Sequence, residues 1–269
     1  MIPTYNRADD LMRAVSSALK QTYPVAEVLV CDDGSSDNSK ELITALNDPK
    51  VKWIACGKNG GPAIPRNIGI KQSAGNWVAF LDSDDSWHPE KIQKQLQAIH
   101  ALNVKACCTN ANRIRHGENK GPYLNYNKQN ISLIDLFYQN SVICSSALIH
   151  KKLLLETSLF PESKTFTAIE DYALWVRVAT QTPFAYIDET LVNYFDNFET
   201  SIRSEQDVDG WTVFEIIFSD FKNWLKTKDM KLTGENKKEF KFLFKRIRRK
   251  GIPTAWEEFN RKLKDKLKF

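Results

Sequence analysis

"AEVLVCDDGSSDNSKELITAL" (residues 26–46) is the stretch from which the fold is read. Its apolar run, Val28 to Val30, is β-branched-rich and predicts a strand. The run stops at two carboxylates, Asp32 and Asp33, and a Gly-Ser-Ser turn follows. A helix is predicted over 38–46, with Ser35 or Asp37 available to cap it. A strand that ends in an acidic turn and passes straight into a helix is one unit of an α/β protein. Outward from it the unit repeats. Residues 8–22 place Leu11, Ala14, Val15, Ala18 and Leu19 at helical spacing, and Tyr23-Pro24 closes the segment. Downstream, "VKWIAC" (51–56) predicts a strand, "GKNGGP" a Gly-rich loop and 65–73 a helix. "NWVAFLD" (76–82) predicts a third strand, and 89–102 a helix with Pro89 in its first turn. "VKACCTN" (104–110), "VICSSALIH" (142–150) and "FAYIDE" (184–189) are further strands, with a helix over 169–180. This alternation, with short connections, implies a doubly wound, Rossmann-like α/β sheet, mostly parallel and flanked by helices. Ligands of such sheets bind outside the carboxyl ends of the strands. The acids at 32–33 and 82–85 both sit at strand ends, which predicts one shared cleft.

From about residue 205 the pattern becomes helical only: Trp211, Phe214, Ile217, Phe218 and Phe221, then Phe240, Leu243, Phe244 and Ile247. Two units are expected, an α/β domain over 1–204 and a helical, basic C-terminal extension over 205–269. Charge divides the same way. Residues 222–269 carry 17 Lys/Arg against 6 Asp/Glu, a balance of +11 that leaves residues 1–221 at −6 within a total of +5. In "AWEEFNRKLKDKLKF" (255–269), Trp256, Phe259, Leu263 and Leu267 share one helical face among lysines. Such a helix fits peripheral contact with an anionic membrane surface. It equally fits a terminal helix packed on the body. No aromatic-basic groove pattern accompanies it, so no nucleic acid partner is expected.

At 42% hydrophobic and 26% charged, the 269-residue chain has an ordinary globular composition. No run of about 18 apolar residues is present, so no transmembrane helix is expected. Neither is a secretory signal. The five cysteines show no CxxC spacing and read as small core hydrophobes in a reducing compartment.

"FLDSDDSWHP" (80–89) concentrates Asp82, Asp84 and Asp85, which repel one another at neutral pH. A solvated turn whose carboxylates satisfy loop amides is one reading. Calcium is a second, but the spaced acidic ladder of an EF-hand is absent. A Mg²⁺ or Mn²⁺ site is the third, since these ions take one or two carboxylates and complete their shell with water and phosphate oxygens. Alone, D-x-D decides little.

Its companions come in a fixed order: "IPTYNR" (2–7), "VCDDGSSDNS" (30–39), "NGGPAIPRNIGI" (59–70), "FLDSDDSWHPEK" (80–91) and "IEDYALWVR" (169–177). Together they resemble the family 2 glycosyltransferases, inverting enzymes of the GT-A fold, over roughly residues 2–203. The resemblance implies that Thr4 and Tyr5 line the nucleotide base and that Asp33 hydrogen-bonds a uracil ring. It places Arg66 near the nucleotide, and Asp82, Ser83 and Asp84 on the ribose and the metal-bound diphosphate. Asp84 and Asp85 are the implied ligands of a divalent metal, Mn²⁺ or Mg²⁺. Asp171 is the implied catalytic base, with Glu170 supporting it, and Ser201 and Arg203 belong to a loop closing over the diphosphate. Each acid also has a plainer reading: Asp32 and Asp33 as helix caps, Glu170 and Asp171 as acids favoured by a helix dipole. Two departures stand out. Only Met1 and Ile2 precede Pro3, so either the chain begins late or the first strand is truncated, and Pro65 stands where a small residue is usual.

The chemistry suits the assignments. An ionised Asp33 accepts uracil N3–H in a charge-assisted hydrogen bond, and an aromatic ring such as Tyr5 stacks on a base. A cation on the diphosphate neutralises the leaving group, so one carboxylate suffices to take the acceptor's proton. No Q-x-x-R-W is present, which favours transfer of a single sugar over processive synthesis. The expectation is a cytoplasmic enzyme, with peripheral contact at the inner membrane face compatible with its basic tail, that uses a nucleotide-sugar donor, UDP-linked. Its acceptor is a saccharide or lipid-linked saccharide of surface-polysaccharide assembly, with specificity from loops such as 110–130. A nucleotidyltransferase acting on sugar phosphates and a non-catalytic sugar-nucleotide-binding protein are the alternatives.

Overall fold

The computed structural model describes residues 1–57, 59–196, 209–234 and 236–242. Strands β1 (Ile2–Thr4), β2 (Val28–Asp32) and β3 (Val51–Ala55) form a parallel sheet in that order, connected through helices α1 (Ala8–Leu19) and α2 (Ser39–Ala45). Helix α3 (Ala63–Gln72) leads to β4 (Trp77–Ala79), β5 (Ser86–Trp87), α4 (Lys91–Leu102), β6 (Ala106–Arg115), β7 (Glu118–Pro122) and β8 (Asn130–Ile131). Then come α5 (Leu133–Tyr138), β9 (Leu148–His150), α6 (Lys151–Glu156), α7 (Glu170–Val178), β10 (Phe184–Phe195) and α8 (Gly210–Thr227). The second sheet runs β4-β9-β6-β10-β5, with β7 on β6 and β8 on β10.

Met1 joins the two sheets. Its nitrogen donates to the Ala79 carbonyl at 2.8 Å, and the Leu81 amide donates to the Met1 carbonyl at 3.1 Å, the pattern of a parallel bridge. The strands β1 to β4, β6 and β10 therefore share one direction, and β9 runs against them.

Helix α1 buries Leu11, Ala14, Val15 and Ala18, the stripe its spacing predicts. β2 is buried along its whole length, as a central strand covered on both faces must be. Gly69 lets α3 lie close to the sheet: a Cβ there would meet Cys31 Sγ at 2.8 Å and Met1 Cγ at 2.9 Å. Pro65 falls in the first turn of α3, where its missing N–H leaves no intrahelical bond unmade.

Two segments depart from the sequence reading. Residues 142–150 are not one strand, because a 3-10 turn at Cys144–Ser146 interrupts them and only Leu148–His150 pairs. That turn is what aims Ser145 at the acidic loop, as described below. The expected specificity loop over 110–130 is largely an antiparallel hairpin, with Arg115 opposite Glu118 across His116 and Gly117. Both turn residues have positive φ, 48° and 76°, as a two-residue hairpin turn requires.

Among the described residues, no helix is long and apolar enough to cross a membrane. All five cysteines are free.

Candidate active site

The site begins where β1 and β2 end. The Asp33 amide donates to the Thr4 carbonyl at 2.9 Å, locking the two strand ends together. Asp32 turns back to accept the Ser35 amide at 3.0 Å, so it builds the turn. Asp33 looks into the Gly-rich loop instead, where its Oδ2 accepts from the amides of Gly60 at 2.9 Å and Gly61 at 2.8 Å. Neither caps α2. Asn38 is the N-cap residue and makes no side-chain cap hydrogen bond; Asp37 before it accepts the Ser39 amide at 3.1 Å and, through its other oxygen, the Ala8 amide at 3.1 Å. Asp33 Oδ1 is buried without a partner, as is Thr4 Oγ1. Burial pushes the Asp33 carboxyl above its ordinary range against the pull of the two glycine amides, and Asp32 adds to the rise. Tyr5, one residue on, is 40% exposed and free to offer its ring.

The acidic loop after β4 lies across the sheet from Asp33. Its three carboxylates point to different partners. Asp82 Oδ1 receives Arg66 Nη2 at 2.7 Å, and the Asp82 amide donates to Ser145 Oγ at 3.0 Å. Ser83 is buried. Asp84 is part-exposed and is held by Arg7, while Arg13 donates to its carbonyl at 2.5 Å. Asp85 is 1% exposed and faces inward: one oxygen accepts from the Ser145 hydroxyl, the other from the Phe195 amide at 3.0 Å. The pair expected from sequence to bind a metal is thus divided, with Asp84 part-exposed beside Arg7 and Asp85 pinning the loop to β10. Burial drives the Asp85 carboxyl well above the ordinary range, and Asp84 and Asp82 drive it further.

Arg66 makes its contacts within the protein. Its side chain is buried between the acidic loop and the start of α7, giving Nη1 to Glu170 Oε1 at 2.5 Å as it gives Nη2 to Asp82. One guanidinium therefore ties together two carboxylates 88 residues apart in sequence. Asp171 follows Glu170 in the first turn of α7, buried to 8% exposure, and its Oδ1 accepts the Tyr172 amide at 2.6 Å. A carboxylate is favoured there by the helix dipole. Glu170 Oε2 is buried without a partner. The structure thus gathers Thr4, Asp33, Asp82, Asp84, Glu170 and Asp171 at one rim of the sheet. Arg203 and Ser201 lie outside the described residues, as does 254–269.

Ser145 and Arg7 were missed as site residues. Arg7 stands in "PTYNR" itself, but Ser145 has no local signal, since its role exists only after residues 82–85 and 145 meet.

Among the described residues, no three His, Cys, Asp or Glu side chains converge as a ready-made metal cage. The donors present are the hard oxygens of Asp82 and Asp84. Burial raises the Asp84 carboxyl, Arg7 opposes the rise and Asp82 adds to it. A carboxylate pair of that kind fits Mg²⁺ or Mn²⁺ that draws its remaining ligands from water and a substrate's phosphates.

A model of the family described as glycosyl transferase family 2 matches residues 1–155. An uncharacterized glycosyltransferase of Rickettsia conorii is 35% identical over 196 residues, 71% of this chain and 31% of that protein. The UDP-Glc:alpha-D-GlcNAc-diphosphoundecaprenol beta-1,3-glucosyltransferase WfgD of Escherichia coli is 32% identical over 178 residues, 66% of this chain and 68% of that protein. The chain thus spans about a third of the Rickettsia relative. Among solved structures, TarS 1–349 of S. aureus in complex with UDP-GlcNAc superposes with a TM-score of 0.67 at 22% identity, over 82% of this chain and 65% of that one. The mannosyltransferase PcManGT of Pyrobaculum calidifontis, in complex with GDP-Man and Mn²⁺, gives a TM-score of 0.56 at 16% identity, over 84% and 69%. These likenesses show the GT-A fold.

Proposed function

This chain belongs to glycosyl transferase family 2, and from that premise we propose that it is an inverting, metal-dependent enzyme that transfers one sugar from a UDP-linked donor. The acceptor is a hydroxyl of a saccharide or lipid-linked saccharide in surface-polysaccharide assembly, at the inner membrane face. Relatives named for UDP-glucose and for a diphosphoundecaprenol-linked acceptor support the donor and acceptor classes.

The observation that carries the mechanism is the Arg66 bridge, which sets the D-x-D loop and the Glu170–Asp171 pair in one site. In this reading Asp33 Oδ1, the oxygen its glycine amides leave over, accepts uracil N3–H. Tyr5 stacks on the base and Thr4 closes its edge. Asp82 and Ser83 meet the ribose, and Asp84 is the carboxylate that holds the metal beside Asp82, while Asp85 fixes the loop's shape. A bound Mn²⁺ or Mg²⁺ supplies the charge that lets the diphosphate leave. Asp171 takes the acceptor's proton, and attack from the face opposite the diphosphate inverts the anomeric centre, with Glu170 and Arg66 holding the start of α7.

Replacing Asp171 by Asn tests the assignment. Turnover of the UDP-sugar should fall by about 10²- to 10⁴-fold, the usual worth of a general base, while calorimetric UDP affinity in Mn²⁺ persists. Retained turnover would remove Asp171 from the role.

A further inference from the structure

Asp84, the carboxylate assigned to the metal, already carries a cation of the chain's own. Arg7 Nη1 lies on Asp84 Oδ2. The neighbouring Arg13 is fastened differently: it binds the Asp84 carbonyl at 2.5 Å, pairs with Asp10 at 2.9 Å and lies 3.9 Å from the centre of the Phe195 ring. Arg13 thus braces the loop backbone, whereas Arg7 occupies the carboxylate. The backbone on either side of Arg7 is fixed. The Asn6 amide donates to Ser35 Oγ at 2.9 Å, Asn6 Oδ1 accepts the Ser36 amide at 2.8 Å, and the Ala8 amide donates to Asp37. A change of partner by the Arg7 side chain leaves these flanking hydrogen bonds in place. It stands two residues past Tyr5, just beyond the carboxyl end of β1.

We propose that Arg7 is an exchanging counter-ion, neutralising Asp84 while no donor is bound and passing to the donor's diphosphate as the metal takes the carboxylate. The proposal rests on the nucleotide-sugar reading above. A guanidinium and a divalent cation on one carboxylate repel each other. A diphosphate resolves the conflict, because it offers the guanidinium fork a bidentate partner and the cation further oxygens. Metal and nucleotide then bind cooperatively, each helping the other by the same factor. The acidic loop is kept from collecting divalent ions that arrive without a leaving group.

Mn²⁺ alone, UDP alone and both together are titrated against the full chain by electron paramagnetic resonance of free Mn²⁺ and by calorimetry. Arg7→Gln should bind Mn²⁺ alone at least about fivefold tighter than wild type and UDP in Mn²⁺ at least about fivefold weaker, within the usual span of coupling between sites. Arg7→Lys keeps the charge but loses the fork, and should move both affinities the same ways by less; it decides the matter if Arg7→Gln does not fold. Unchanged or weaker Mn²⁺-alone binding in the variants overturns the proposal, as does Mn²⁺-alone binding undetectable in every protein. Failure of wild type to bind UDP overturns the donor reading, and the Mn²⁺-alone arm still decides the role of Arg7.

Discussion

Arg66 faces two carboxylates, Asp82 and Glu170, from a side chain only 5% exposed. Removing the cation alone leaves Glu170, 7% exposed at its side chain, as a buried charge without its partner. Breaking a buried pair from one side costs about 3–5 kcal/mol, and Arg66→Met should lose that much in urea denaturation. Glu170→Gln added to it should recover at least about 1 kcal/mol, because the stranded charge is gone. Strict additivity of the two changes would show that the pair is not coupled. Asp33 and the D-x-D loop were legible in the sequence as acids at strand ends, whereas Asp171 stood out from a helix-dipole acid only through the family resemblance. Their orientations were not legible. Asp84 and Asp85 are adjacent, yet one is part-exposed on Arg7 and the other is buried and bonded to β10, and no periodicity governs a loop that bends between them.

At the scale of elements, the instructive case is α8, which lies beyond the boundary expected at 204/205. Its Phe214, Ile217, Phe221 and Trp224 are buried in the same core as Phe137, Tyr172 and Trp175. Phe137 meets the rings of Phe214 at 6.3 Å and Phe221 at 5.3 Å, and Arg177 on α7 grips Asp220 with Nη2 at 2.7 and 2.8 Å. Helical spacing revealed the apolar face of α8 but not what it covers. Phe221→Ala should cost about 3–5 kcal/mol and leave one cooperative unfolding transition. A separate early transition for α8 would make it an appendage. The β6–β7 hairpin was misread for a different reason: its strand signal is diluted by Asn112, whose amide donates to Asn193, and by Arg113 and Arg115, which reach Asp196. His116-Gly117 was the turn signal available.

For the molecule as a whole, Lys91 links stability to pH. It is fully buried, donates to Gln95 at 2.8 Å and lies 4.3 Å from the centre of the Trp87 ring. Burial lowers its pKa to about 7. Between about pH 7 and the ordinary lysine value near 10.4, the unfolded chain holds a proton that the folded chain does not. Folding releases it, so this group's contribution makes stability rise with pH across that window, by up to about 1.4 kcal/mol per unit. Lys91→Met removes the rise. The neighbouring thiols act oppositely, burial pushing Cys107 up to about 12 and Cys108 well above its ordinary value, but they remain in both proteins. The stability of wild type minus that of Lys91→Met, from urea unfolding at pH 7.5 and 9, should therefore increase by about 2 kcal/mol. An unchanged difference would place the proton on Lys91 throughout.

The sequence by itself determined the succession of strands and helices, and it put the acids at the carboxyl ends of the strands. Those signals are local: a period of two or of 3.6, a strand that stops, a turn that follows. Only the tertiary structure decided how the acids divide their work. Arg66 reaches 104 residues along the chain to Glu170, Ser145 reaches 60 to Asp85, and Phe195 reaches 110. Contacts of that span arise from sheet order, with β9 and β10 laid beside β4 and β6, and no local pattern encodes them. The same ordering sets Arg7 against Asp84, across 77 residues.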